Sequence, residues 1–235
     1  YTGILQHARF NVPDRNHGYC TDDNARALLL TVMLQNEVQD VDEVNRLTSI
    51  YLSFLDYAHN PENGLFRNFM DYERKWLEKE GSEDSIGRAI WALGYTAAYT
   101  NVCNFHHHSN HLFMRGLQSV THLTHPRSIA YALLGLTHHA KVHGEPEVIQ
   151  HLKKLSHQLY SFFDNTIDKE WLWFEPKVSY GNSRIPHAMI LAGMHLQDDN
   201  MTRRGLKILD WLIDKQFTNG IFSPIGNDGW LTPEG

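Results

Sequence analysis

Four times along this chain an arginine opens an apolar helical run. The openings read DDNARALLL, EDSIGRAIWALG, PRSIAYALLG and YGNSRIPHAMILAG, and the arginines are Arg26, Arg88, Arg127 and Arg184. Two copies share an asparagine, a small residue and the arginine: Asn24-Ala25-Arg26 and Asn182-Ser183-Arg184. Three copies close on a glycine, Gly94, Gly135 or Gly193, and the small residues ahead of it let neighbouring helices approach closely. Such self-similarity restricts a chain to a stack of like units.

Each unit predicts as a helical hairpin. Apolar residues recur at three- and four-residue steps over Ala27–Leu34, Val41–Ala58, Ile86–Tyr99, His111–Leu123, Ile129–Val142, Val148–Phe163, Ile185–Leu196 and Thr202–Phe217. That makes eight helices in four hairpins. Asp40 and Glu145-Pro146 are start signals, and Thr21, Asp22 and Ser82 read as N-caps. Short turns fall near 35–40, 101–108, 143–146 and 197–200. Longer loops, Asn60–Ser82, Asp164–Ser183 and Thr218–Gly235, join one hairpin to the next and hold strand-like pieces at Gly64–Phe69 and Glu170–Phe174. The loops repeat as well: Asn63-Gly64-Leu65-Phe66 matches Asn219-Gly220-Ile221-Phe222, with Trp171-Leu172-Trp173-Phe174 a weaker third copy. An array of hairpins runs open as a solenoid or closes into a ring. Loops rich in carboxylates and aromatics at one end, with a variable period, favour a ring with its site at that end. We therefore expect one all-α domain over residues 1–235, with short strands in the inter-hairpin loops.

Composition narrows the function. The chain is 42% hydrophobic, so it can bury a substantial core. Its formal net charge is -6 with no basic cluster, which argues against a nucleic-acid partner held by its phosphates. No apolar run reaches the roughly 18 residues needed to span a bilayer. No leader segment precedes Tyr1 and the chain opens mid-pattern, as a trimmed piece or a mature form does. Cys20 and Cys103 make no disulfide framework; they fit a reducing compartment, which tips an otherwise open localisation towards the cytoplasm. Trp76, Trp171, Trp173, Trp230 and Tyr180 stand in polar, glycine-containing segments, where flat rings either pin loops to the core or stack on sugar faces.

The segments GYCTDDNARALLL, SEDSIGRAIWALG, WFEPKVSYGNSRIPHAMILAG and GNDGW, in that order, resemble the six-hairpin (α/α) toroid superfamily. More narrowly, they resemble the helical domain of bacterial proteins often labelled glycosyltransferases or uncharacterised, some of them attached to a glycosyltransferase module. The resemblance implies an (α/α) toroid and carbohydrate chemistry: the superfamily holds glycoside hydrolases, many of them inverting, with sugar epimerases and polysaccharide lyases. A complete toroid has six hairpins and the resembling proteins continue with further helices, whereas four hairpins are counted here. An incomplete ring would expose an apolar edge that invites a partner.

The acidic pairs Asp22-Asp23 and Glu83-Asp84 both stand at the front of a hairpin, and in a ring those fronts are neighbours. Glycoside hydrolysis needs two carboxylates, about 5–5.5 Å apart for retention and about 6.5–9.5 Å for inversion. A like charge close by keeps one of them protonated. Asp23 and Asp84 are the preferred acid and base, Asp22 and Glu83 their orienting neighbours, and Glu175 a third candidate from a facing loop. First-turn acids also serve the helix dipole, the competing reading for both pairs. An arginine at a helix start opposes that dipole, so Arg26, Arg88, Arg127 and Arg184 are expected to fork onto carboxylates and tie hairpin to hairpin, with one or two touching substrate. Asn24 and Asn182 either cap their helices or bond sugar hydroxyls. Trp173, Tyr180 and His187 complete the expected sugar site, and His7, His17 and His125 lie near the same face. Among the 16 histidines, His106-His107-His108 and His111 are the metal suspects, yet no carboxylate or cysteine pattern completes a site; His138-His139 and His143 read as a helix end. No metal or cofactor is expected. Cys20, beside the acidic pair, is a poor nucleophile.

The leading expectation is hydrolysis of a glycosidic bond in an oligosaccharide or polysaccharide. The runner-up is a non-catalytic carbohydrate-binding or scaffold domain serving a glycosyltransferase. A sugar epimerase or lyase, using histidine or tyrosine bases, comes next, and a protein-binding helical repeat last.

Overall fold

The computed structural model describes residues 2–166, 170–226 and 231–234. Among the described residues, eight α-helices alternate as inner and outer members of four hairpins: α1 (Thr21–Leu34) with α2 (Val41–Ala58), α3 (Glu83–Tyr99) with α4 (Cys103–Gly116), α5 (Pro126–Val142) with α6 (Pro146–Thr166), and α7 (Arg184–Leu196) with α8 (Asp199–Gln216). The inner helices pack in sequence order, α1 on α3, α3 on α5 and α5 on α7. Their neighbours explain their composition. From Ser85 to Gly94, and from Pro126 to Thr137, every residue of α3 and α5 is buried, because both helices are covered all round. The outer helices bury one stripe only, as in α2 (Val44, Thr48, Leu52, Leu55) and α8 (Met201, Gly205, Ile208, Leu212).

The α3–α5 contact depends on small residues. A Cβ on Gly94 would stand 2.3 Å from the carbonyl oxygen of Gly135, and one on Gly135 would stand 2.3 Å from that of Ile90. The two backbones meet with no room for a side chain, which is why glycine recurs in these openings.

Most helices start earlier than hydrophobic periodicity puts them, since a first turn is polar, while α2 spans Val41–Ala58 as expected. Side chains of Asp40, Ser82 and Asp198 cap α2, α3 and α8. For α1 the cap is Cys20, whose Sγ accepts from the Asp23 amide at 3.4 Å, so Thr21 and Asp22 lie inside the first turn. The fourth helix is displaced furthest from expectation. It starts at Cys103 and gives way to a 3-10 helix over Leu117–His122, so the histidine run lies within the helix and not in a turn.

The strands are few. β1 (Leu5–Arg9) and β2 (Val12–Cys20) form an antiparallel hairpin, and β3 (Phe69–Met70) adds to β2 with Cys20 opposite Phe69. β2 then runs into α1 with no intervening loop. The β1–β2 hairpin has no counterpart in the expected pattern: VPDRNHGYC is polar, carries a proline and does not alternate. β4 (Phe217–Thr218) and β5 (Ile221–Phe222) close on Asn219-Gly220, both at positive φ, as a two-residue hairpin turn requires. Residues 170–174 form no strand; Trp171, Leu172, Trp173 and Phe174 are buried beneath α8 and α6 instead. Trp230 of the GNDGW segment lies outside the described residues. No helix is long and apolar enough to cross a membrane, among the described residues.

Candidate functional site

The front ends of all four inner helices open on one cleft of about 710 Å³. Asp22 and Arg26 enter it from α1, Asp84 and Arg88 from α3, Tyr131 from α5, and Arg184 from α7. Asn68, Phe69, Ser82, Tyr180 and Gly181 complete the wall from the connecting loops.

Arg88 is its hub. The side chain is nearly buried, its Nε is 2.9 Å from Asp22 Oδ1, and its Nη2 lies 3.9 Å from Asp84 Oδ2. The same Nη2 donates to the Tyr131 hydroxyl at 2.8 Å. Arg88 thus joins the first hairpin to the second and bridges two carboxylates. Burial raises the pKa of Asp22 despite Arg88 and Arg26 beside it, and the Asp23 and Asp84 charges push the same way. Asp84 is held from two sides, by the Ser128 hydroxyl and the Tyr180 hydroxyl, each donating at 2.9 Å. Burial, with the Asp84 carboxylate next in order, pushes Tyr180 up to about 12, so the phenol keeps its proton. The cleft therefore sets Asp22, ion-paired to Arg88 and Arg26, near a firmly positioned Asp84 acceptor.

Arg127 works behind this wall. Its guanidinium forks onto Glu175 at 2.8 and 2.6 Å, donates to Ser179 Oγ at 2.8 Å and to the Tyr180 carbonyl, and lies over the Tyr180 ring. Glu175 is thus drawn into a brace that fixes the Tyr180 loop to α5, and it does not line the cleft. Arg184 is different. Among the described residues no carboxylate pairs with it; it lies over the Trp91 ring and stands 3.4 Å from His187 Nδ1. Burial, then Arg184, lowers the His187 pKa and favours its neutral ring.

Several sequence candidates lie elsewhere. Asp23 turns away from the cleft, taking the Cys20 thiol at 2.9 Å and a contact from Arg26. The carboxylates facing the opening are therefore Asp22 and Asp84, where the sequence favoured Asp23 and Asp84. Glu83 ties down the approach to the next hairpin: it accepts from the Thr124 amide (2.7 Å), the Thr124 hydroxyl (2.6 Å) and the His125 amide (2.9 Å). Asn24 is buried, accepting from the Ile4 amide and donating to the Cys20 carbonyl. Asn182 closes a turn on Ser179. Trp173 is fully buried against Trp211 and Phe174. His7 and His17 pack on each other across β1 and β2. Burial foremost, then Asp23, raises the Cys20 thiol pKa far above its usual value, which makes it inert. Sequence reasoning missed Asn68, Ser82 as a lining residue, and Tyr131; Tyr131 gave no signal because it sits in the apolar phase of α5.

The Glu83 contacts yield a prediction. Burial alone would raise its pKa, but the hydrogen bonds from Thr124 and His125 outweigh that and hold it below the usual value. A depressed carboxylate stabilises the fold above its unfolded-state pKa and loses that contribution as pH falls through the folded value. Glu83→Gln is expected to cost about 0.5–2 kcal/mol near neutral pH. The difference should shrink in urea titrations repeated below the ordinary glutamate range.

No family model matches the chain, and no curated protein matches it by sequence. Solved structures do match. A sugar epimerase from a ruminal bacterium superposes with a TM-score of 0.73 at 16% identity, over 94% of this chain and 67% of its own. Cellobiose 2-epimerase from Bacillus thermoamylovorans B4167 superposes with a TM-score of 0.65 at 13% identity, over 95% and 70%. The fold is an (α/α) toroid. At such identities the likeness speaks for the fold alone. The narrower resemblance to glycosyltransferase-labelled proteins finds no support in these two structures, which are sugar epimerases.

Proposed function

We propose that this (α/α) toroid is a carbohydrate-processing domain of the sugar-epimerase kind, with its substrate held in the cleft between Asp22 and Asp84. The observation that carries the reading is the convergence of four hairpin fronts on a pair of carboxylates bridged by Arg88, in a chain whose fold is shared with two sugar epimerases. Inverting a carbon next to a sugar carbonyl requires removing a proton and returning one to the opposite face. That asks for two acid–base groups on different walls and a cation to stabilise the intermediate enolate oxygen. Asp22 and Asp84 project from different helices, and Arg184, which pairs with no carboxylate among the described residues, brings a guanidinium to the cleft from α7. Neutral His187, beside Arg184, is a further candidate base. The carboxylate pair also supports a second reading, glycosidic hydrolysis, because Asp22 and Asp84 line one cleft from different helices.

The two reactions separate in one experiment. Aldoses and reducing disaccharides are incubated with the protein in deuterated water, and the products are followed by proton NMR. Epimer formation with deuterium taken up beside the carbonyl supports the first reading. New reducing ends without epimer support hydrolysis, and binding without either product would overturn both.

A further inference from the structure

The far end of the third hairpin carries a second cluster that the cleft does not use. It lies roughly 12–18 Å further along α5 than Tyr131, the residue that helix gives to the cleft. His139 is fully buried on α5, with its ring stacked on Phe113 at 4.2 Å and on His143 at 4.4 Å. Its Nε2 is 2.6 Å from Asn110 Oδ1 on α4. That contact puts the ring proton on Nε2 and leaves a lone pair on Nδ1. Nδ1 faces Glu145 Oε2 at 3.5 Å, and both atoms are buried without a hydrogen-bond partner. Two acceptors facing each other out of water are costly. His143 follows the same pattern: its Nε2 is 3.3 Å from the Ala97 carbonyl on α3, which again leaves Nδ1 free.

We propose that His139, His143 and Glu145 form a binding site for a divalent transition-metal ion, zinc by preference, at the α5–α6 turn. One donor atom from each of the three lies within 4.8 Å of the other two. Two imidazole nitrogens and one carboxylate oxygen suit zinc, with a fourth position left to water. Metal-bound histidines characteristically donate their other ring N–H to an oxygen acceptor, and here Asn110 and Ala97 supply one to each ring. Tetrahedral zinc places its donors about 3.4 Å apart, so the ligands draw in slightly on binding; Glu145, in the turn and a third exposed, has the freedom to do so. A bound ion would clasp the turn to α3 and α4 and stabilise the fold by mass action. The histidine run on α4 that the sequence marks is a different place: His107 and His111 find no third ligand among the described residues.

The test uses the full chain, stripped with chelator and titrated with Zn²⁺ by calorimetry and equilibrium dialysis. One ion per chain is expected, with a rise in melting temperature. E145Q and H143Q alter partly exposed side chains, and each should lose at least about tenfold in affinity while melting normally without metal. N110A, which removes only the partner of His139, should lose roughly 10–100-fold. The double variant H107A/H111A should bind as the wild type does. Unchanged affinity in E145Q and H143Q, or binding abolished by H107A/H111A, would overturn the site. Should the variants fold poorly, the Co²⁺-loaded wild type decides alone: absorption bands of a nitrogen- and carboxylate-ligated ion support the assignment, and an aqueous-ion spectrum refutes it.

Discussion

A Gly135→Ala protein is expected to melt well below the wild type. The new Cβ would stand 2.3 Å from the Ile90 carbonyl oxygen and 2.7 Å from Trp91 Cα. Both obstacles are backbone, so no side chain can rotate aside and α3 must move off α5. Overpacking costs about 1–3 kcal/mol when side chains absorb it. A backbone clash between two fully buried helices belongs at the upper end or beyond. Alanine's better helix propensity returns about 1 kcal/mol without reversing the sign. At about 2–4 °C per kcal/mol for a chain of this size, a net cost of about 2–3 kcal/mol lowers the midpoint by roughly 4–12 °C. Gly94→Ala should behave alike, because its Cβ meets the Gly135 carbonyl. Thermal unfolding followed by circular dichroism checks both, and a wild-type midpoint for either would contradict the backbone contact.

Asp84→Asn is expected to reduce turnover by about 10²–10⁴-fold, the range typical of a lost acid or base. The amide keeps the shape of the carboxylate and can still accept from Ser128, so stability should fall by only about 1 kcal/mol. The loss should appear in kcat more than in KM if the group acts on the transition state. Asp23→Asn is the informative companion. Asp23 is paired with Cys20 and Arg26 and stays out of the cleft. Its turnover should be close to that of the wild type, whereas Asp22→Asn should be impaired. Equal damage from Asp23→Asn and Asp22→Asn would mean that the cleft geometry does not assign the roles.

The hairpin order and the convergence of the fronts were legible because they rest on periodicity and repetition, which survive in a single sequence. Two of the four arginines were legible as ties: Arg88 reaches Asp22 of the hairpin before, and Arg127 reaches Glu175 of the loop after, whereas Arg26 pairs within its own helix and Arg184 with no carboxylate among the described residues. What stayed hidden was direction. Adjacent residues on a helix point about 100° apart, so within Asp22-Asp23 and Glu83-Asp84 only one member of each pair can face a given hollow. Which one depends on where the helix starts, and Cys20 is not a residue that advertises a cap. The β1–β2 hairpin stayed hidden because both faces are largely exposed, leaving no alternation to read. The His139 cluster read as a helix end because its third member comes from the turn and its supporting atoms from two other helices.

The direct passage of β2 into α1 has a mechanical consequence. Tyr19 and Cys20 are paired with Met70 and Phe69, and the next turn of chain carries Asp22. Asn68 also accepts from the Asp22 amide. This jaw is therefore one stiff piece, with no slack between the ladder and the acid. Any give in the cleft would fall to the opposite jaw, where Tyr180 and Gly181 ride on a connector held by Arg127, by the Asn182 turn, by the Tyr180 bond to Asp84 and by the pairing of Val178 with Leu231.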